Sequence, residues 1–231
     1  MYWNPMYFVF ALPALLLGMY AQFKIRSAYG KYTQVGNALG ITGVEAAQRL
    51  LASNGLEGVQ LEGTPGELTD HYDPGKKRLA LSRDVAYGRS LAGLAIVAHE
   101  VGHAVQDHTN YPLMKLRNGI VPMVQVGSAL GPIVFILGYM FGASGLALLG
   151  LLLFSASAVF ALLTLPVEMD ASARALQMLT TNGLLVQRDE TAGAKSVLDA
   201  AALTYVAALL QVLSTLLYYV FLLSGSSRRR N

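Results

Sequence analysis

Cysteine is absent from the 231-residue chain, which excludes disulfide bonds and thiolate metal sites. Charge is scarce as well. Asp, Glu, Lys and Arg make up 13% of the residues, about half of the ~25% usual in a soluble domain. The deficit is local: residues 1–23, 118–167 and 200–227 hold no charged side chain at all. Runs of this kind exclude a single soluble domain, and 54% hydrophobic residues exclude disorder. The net charge of +3 matches the three arginines of the tail, Arg228, Arg229 and Arg230, so the rest of the chain is balanced. That balance offers nothing to nucleic acid, and no such partner is expected.

What the chain does contain is membrane-grade helix. About 20 apolar residues cross the hydrocarbon core as a helix. The first run supplies one span, residues 1–23; with no basic stretch ahead of it and a long apolar segment, it reads as an anchor, not a cleaved signal. The second run supplies two spans, 118–141 and 145–166, divided at Gly142-Ala143-Ser144-Gly145. Residues 201–223 make the fourth, followed by a basic tail, 224–231. Two polar segments remain, 24–117 and 167–200. Spans two and three cross the bilayer twice, so both polar segments must share one face, with the termini on the other. Lys24, Arg26, Lys31, Lys115 and Arg117 flank the spans on the side of the polar segments, and the positive-inside rule makes that side cytoplasmic. The tail arginines argue the opposite way.

Within the polar segments the fold expected is small and mixed. Thr42-Gly43-Val44-Glu45 reads as a capping box opening a helix that ends at Asn54-Gly55. Gly58 to Glu62 alternates like a strand, and Leu68–Asp73 and Arg78–Leu81 flank Pro74-Gly75-Lys76-Lys77 as a hairpin. Ser90 to His108 has helical periodicity, as does Glu168 to Thr181, and a last helix from about Asp189 is able to run into span four. The fold class is thus mainly α: an integral membrane protein with four transmembrane helices and a small α+β domain containing a short β-hairpin.

Ala98-His99-Glu100-Val101-Gly102-His103 carries the chemistry. Two histidines four apart on a helix lie one turn apart on one face and reach the same ion, while Glu100 stands beside them to activate its water. This is the pattern of a zinc hydrolase, with one zinc per chain. A catalytic zinc needs a third protein ligand and an open position. In the metzincin extension a Gly and a His would stand three and six residues after the second His; Gln106 and Thr109 occupy those places, and His108 is out of phase. The remaining arrangement takes a Glu from a later helix, the gluzincin type. Glu168 and Glu190 are the candidates downstream, and Glu168 is favoured because it follows span three on the face that carries His99 and His103. Asp107, four residues after His103, and Asp170, two residues after Glu168, are candidates for orienting the ligands, although Asp107 also suits a solvated helix end and Asp170, on the opposite side of its helix from Glu168, is spaced to pair with Arg174. His71 and Tyr72 lie just before the hairpin turn. An edge strand there would pair with an extended peptide, and either side chain could donate to an oxyanion.

Leu68-Thr-Asp-His-Tyr-Asp-Pro, Leu81-Ser, Ala98-His-Glu-Val-Gly-His-Ala-Val-Gln and Leu165-Pro-Val-Glu together resemble the YugP-type neutral zinc metallopeptidases of bacterial membranes. The likeness covers nearly the whole chain, and the order of elements is similar to that of the HtpX heat-shock proteases and CAAX prenyl proteases. It implies His99, His103 and Glu168 as zinc ligands and Glu100 as the base, in a bacterial inner membrane. One departure stands out: the gluzincins often place an Asp four residues after the ligand Glu, where this chain has Ser172. The activity expected is a membrane-embedded zinc endopeptidase acting on membrane-associated polypeptides from the cytoplasmic face. The competing expectations are a non-proteolytic scaffold with a structural or switching zinc, which would need a fourth ligand, and a metal transporter. The transporter is disfavoured because the uncharged runs hold no His or charged residue.

Overall fold

The computed structural model describes residues 5–228; the start of span one and tail residues Arg229 and Arg230 lie outside the described residues. In chain order the elements are α1 (Pro5–Tyr32), α2 (Gly43–Ser53), β1 (Gln60–Thr64), β2 (His71–Asp73), β3 (Arg78–Ser82), α3 (Arg83–Tyr87), α4 (Leu91–His108), α5 (Pro112–Met140), α6 (Ser144–Thr181) and α7 (Arg188–Arg228). Four of these helices, α1, α5, α6 and α7, are long and apolar enough to cross a membrane. All four outrun the uncharged segments. In particular, α6 passes Pro166 without a break, so the expected helix from Glu168 is its continuation. Proline removes one backbone bond and bends a helix, but a long apolar helix tolerates it.

The chain divides into two compact units. One comprises the described residues up to Ala21, Lys115–Pro166 and those from Thr204 onward. Its helices touch through small residues. A Cβ on Gly131 would lie 2.6 Å from the Phe154 nitrogen, and Gly127, Gly138 and Gly150 likewise meet backbone of the facing helix. The small residues of α5 therefore serve packing within the chain. Phe135 and Tyr219 stack with ring centroids 3.9 Å apart.

The other unit comprises Gln22–Met114 and Val167–Leu203, so both polar segments of the sequence enter one compact body. Its core holds Leu50, Leu79, Leu81, Leu94, Val97, Val101 and Leu179. Helix α2 opens with the expected capping box: Thr42 Oγ1 accepts from Glu45 N, and Glu45 accepts from Thr42 N. Asn54 caps its end and Gly55 turns the chain at φ 68°. The hairpin turn is built on Asp73, whose Oδ1 accepts from the N–H groups of Gly75 and Lys76. It pairs β2 antiparallel to β3, with Tyr72 opposite Leu79. On its other side β3 pairs in parallel with β1, giving the order β1-β3-β2 and leaving β2 on an edge. Strand β1 starts two residues later than the alternation suggests, because register with β3 begins at Gln60 opposite Arg78. The Ser90 hydroxyl accepts from Gly93 N and starts α4.

Candidate metal centre

Helix α4 presents His99, Glu100, His103 and Gln106; α6 presents Glu168, Asp170 and Ser172. What lets these two helices approach is Gly102, which is buried. A Cβ there would sit 2.7 Å from the Ala171 carbonyl oxygen, so any larger residue would push α6 away. At that separation Glu168 Oε2 lies 3.2 Å from His99 Nε2 and 3.4 Å from His103 Nε2. The ligand atoms of all three residues fall within 4.8 Å of one another, the only such group of three or more potential ligands among the described residues. Ligand atoms about 2.0–2.1 Å from a tetrahedral zinc stand roughly 3.3 Å apart, so the two measured separations suit that ion. All three side chains are largely buried, with 6–14% exposure, which limits competition from water.

The far side of each imidazole is also held. His103 Nδ1 lies 2.9 Å from Gln106 Oε1, and the Gln106 amide nitrogen donates to the Val167 carbonyl and to Asp170 Oδ2, both at 2.8 Å. Those two partners only accept, so the amide nitrogen must face them and the amide oxygen must face His103. It follows that His103 carries a proton on Nδ1, which leaves Nε2 as the ring nitrogen that can bind a metal. His99 Nδ1 lies 3.2 Å from the hydroxyl of Ser172, four residues after Glu168. The donor set therefore fits zinc: two imidazoles, each with a polar partner behind it, and one carboxylate.

Electrostatics divide the two glutamates. Burial pushes the Glu100 carboxyl up, against the pull of both imidazoles and of the Tyr72 N–H, which donates to Oε2 at 3.0 Å. Burial also opposes the charge on Glu168, but the hydrogen bonds and fields of His103 and His99 outweigh it and hold this carboxyl far below the usual range. For His103, burial favours the neutral ring, while Glu168, Glu100 and Gln106 together raise it.

Several expected neighbours stand elsewhere. Asp107 does not reach His103. Four residues on from that histidine it is turned toward the hairpin, where Oδ2 accepts from the Tyr72 phenol at 2.7 Å and from Lys77. Gln106, three residues on, takes the place against His103. Asp170 pairs with Arg174 at 2.6 Å and reaches His103 only through Gln106. The Tyr72 hydroxyl proton is committed to Asp107, so Tyr72 is not a free oxyanion donor. His71 is exposed, with Nδ1 2.8 Å from the Thr69 carbonyl. Glu190 is buried as a backbone acceptor from Ala38, Val186 and Gln187, and His108 is exposed at the end of α4. Gln106 and Ser172 appear in the sequence only as departures from other families' patterns, and α3 is too short to show a period.

A family profile described as "putative neutral zinc metallopeptidase" matches residues 7–224. The chain is 44% identical over 218 residues to "Putative membrane protease YugP" of Bacillus subtilis (strain 168), covering 94% of this chain and 96% of that one. No solved structure matches. With a family profile running through nearly all of its length and a relative matched end to end, this multi-pass membrane chain belongs to the neutral zinc metallopeptidases of the YugP type.

Proposed function

We propose that the protein is a zinc-dependent endopeptidase of the gluzincin type, cutting membrane or membrane-delivered polypeptides. His99, His103 and Glu168 hold one zinc per chain, and Glu100 is the general base. The observation that carries this reading is the convergence of His99 Nε2, His103 Nε2 and Glu168 Oε2 from two helices, with Glu100 on the adjoining turn. Zinc bound there supplies a Lewis acid for the scissile carbonyl and makes its water acidic. Glu100 takes a proton from the attacking water and delivers it to the nitrogen of the leaving amine. A carboxylate pushed up by burial suits both halves of that task. Ser172 and Gln106 keep the ligand rings turned toward the centre. An extended substrate runs beside the edge strand β2. His71 is retained as the candidate oxyanion donor; its Nδ1 serves the Thr69 carbonyl, so it donates from Nε2 only as the doubly protonated ring.

The hydrocarbon-embedded parts of the long helices are assigned to 1–23, 118–141, 145–166 and 201–223, in a bacterial inner membrane with the site on the cytoplasmic face. The scaffold alternative wants a closed, four-ligand site, and the ligand group found has three members.

The deciding experiment measures bound zinc and casein cleavage for the wild type, Glu100→Gln and Glu168→Ala. Glu100→Gln is expected to keep zinc and lose proteolysis by at least 10²-fold, a typical general-base contribution. Glu168→Ala is expected to lose both. Full proteolysis by a zinc-loaded Glu100→Gln protein sinks the proposal.

A further inference from the structure

Asp107 stands one turn beyond His103 on α4, yet its carboxylate serves the edge strand. Oδ2 accepts from the Tyr72 phenol at 2.7 Å and from the Lys77 ammonium in the hairpin turn. The same tyrosine donates its backbone N–H to Glu100 Oε2 at 3.0 Å. Residues 100 and 107 are seven apart, two turns along one face of the helix and about 10 Å along its axis. One residue of β2 therefore fastens the strand to α4 at two points, and the upper point is the carboxylate read above as the base.

We propose that Tyr72, Asp107 and Lys77 are positioning residues for Glu100. They lock β2 against α4 so that the Tyr72 N–H holds Oε2 in place and leaves Oε1 turned to the reacting water. The inference rests on the reading of Glu100 as the base. Its physical reason lies in the strand itself. A three-residue edge strand has one neighbour, β3, and such edges open readily unless tied down. The tie is the phenol–carboxylate bond, charge-assisted and shielded, since Tyr72 is only 9% exposed. Lys77 is more than half exposed, so its contact with Asp107 adds orientation more than energy. Letting the strand drift would let Glu100 drift with it, and displacements near 1 Å can cost up to about 10²-fold in rate.

The test uses the full-length protein in detergent micelles, with casein as the probe, and compares Tyr72→Phe, Asp107→Ala, Asp107→Asn and the Tyr72→Phe/Asp107→Ala pair. Tyr72→Phe keeps the buried ring and the backbone donor and removes only the hydroxyl. We expect Tyr72→Phe and Asp107→Ala each to lower kcat about tenfold, with KM and bound zinc within about twofold of wild type. The paired variant falls no further than the worse single one, because both remove the same tie. Asp107→Asn keeps an oxygen for the phenol and recovers most of the loss. Independently of activity, amide hydrogen exchange in residues 70–74 rises in Tyr72→Phe and Asp107→Ala while α2 keeps its protection. Wild-type kcat in both single variants, a paired loss near a hundredfold, or unchanged exchange in residues 70–74 overturns the proposal. Glu100→Gln separates the two levels. An active Glu100→Gln protein removes the base reading beneath, whereas an inactive one alongside fully active Tyr72→Phe and Asp107→Ala removes this inference alone.

Discussion

His103 shows how much of a metal site is decided by residues that never touch the metal. Its Nδ1 faces the Gln106 amide, whose own nitrogen is spoken for by Val167 and Asp170. Replacing Gln106 by Leu keeps the bulk but leaves the Nδ1 proton without its acceptor and removes one donor from the Val167 carbonyl and from Asp170, which keeps Arg174. Zinc affinity should then fall by roughly ten- to a hundredfold, the usual cost of losing such a support, read by competition with a coloured chelator. An unchanged affinity would mean that Gln106 only fills space. In the sequence Asp107 is a candidate for this place, because a carboxylate one turn from a histidine is a usual orienting partner, and a solvated carboxylate at the helix end fits the same position. Gln106, three residues on, shares the same helix face but carries no charge to advertise it. Only the approach of α6 decides which of these two neighbours meets the ring.

Elements meet here through two devices of different legibility. The close approach of α4 and α6 depends on Gly102, which the sequence shows merely as a variable position inside HExxH. Helix α7 is anchored instead by a charge. Glu190, third residue of that helix, accepts backbone N–H bonds from Val186 and Gln187 ahead of it and from Ala38 far along the chain. Burial opposes the ionised form, but the three donors outweigh it and hold the carboxyl below its ordinary value. The folded state then binds this proton less readily than the unfolded one, so the stabilisation is complete above the unfolded pKa, near 4.3, and disappears as pH falls through the lower folded value. Glu190→Ala should cost about 3 kcal/mol at pH 7 in denaturant unfolding, and the gap to wild type should narrow below about pH 4.3. A gap that is constant from pH 7 to pH 3 contradicts this account.

At the scale of the whole molecule, the count of uncharged runs sets the topology. In the proposed topology, four spans put residues 57 and 143 on opposite faces of the membrane, with residue 57 on the cytoplasmic face that the basic residues flanking spans one and two favour. The absence of cysteine makes this easy to measure, since an introduced thiol is the only one present. In intact spheroplasts a membrane-impermeant maleimide should label Ala143→Cys and spare Glu57→Cys until the membrane is opened. The reverse pattern would move the site to the outer face, and equal labelling would break the four-span count.

The sequence alone determined the membrane character and the helix bearing His99, Glu100 and His103, and it led to the expectation that its two polar segments share one face. These features follow from local composition and from a 3.6-residue period, both of which a linear string records. It also pointed to Glu168, through the parity of the spans. Tertiary structure decided what a linear string cannot carry: which residues back the ligands, where Asp107 turns, and that the Tyr72 backbone meets Glu100. Those contacts depend on the depth to which Gly102 lets α6 approach α4 and on a strand register that begins at Gln60. Both are set by packing between segments distant in the chain, where a difference of one methyl group or one residue redirects every partner.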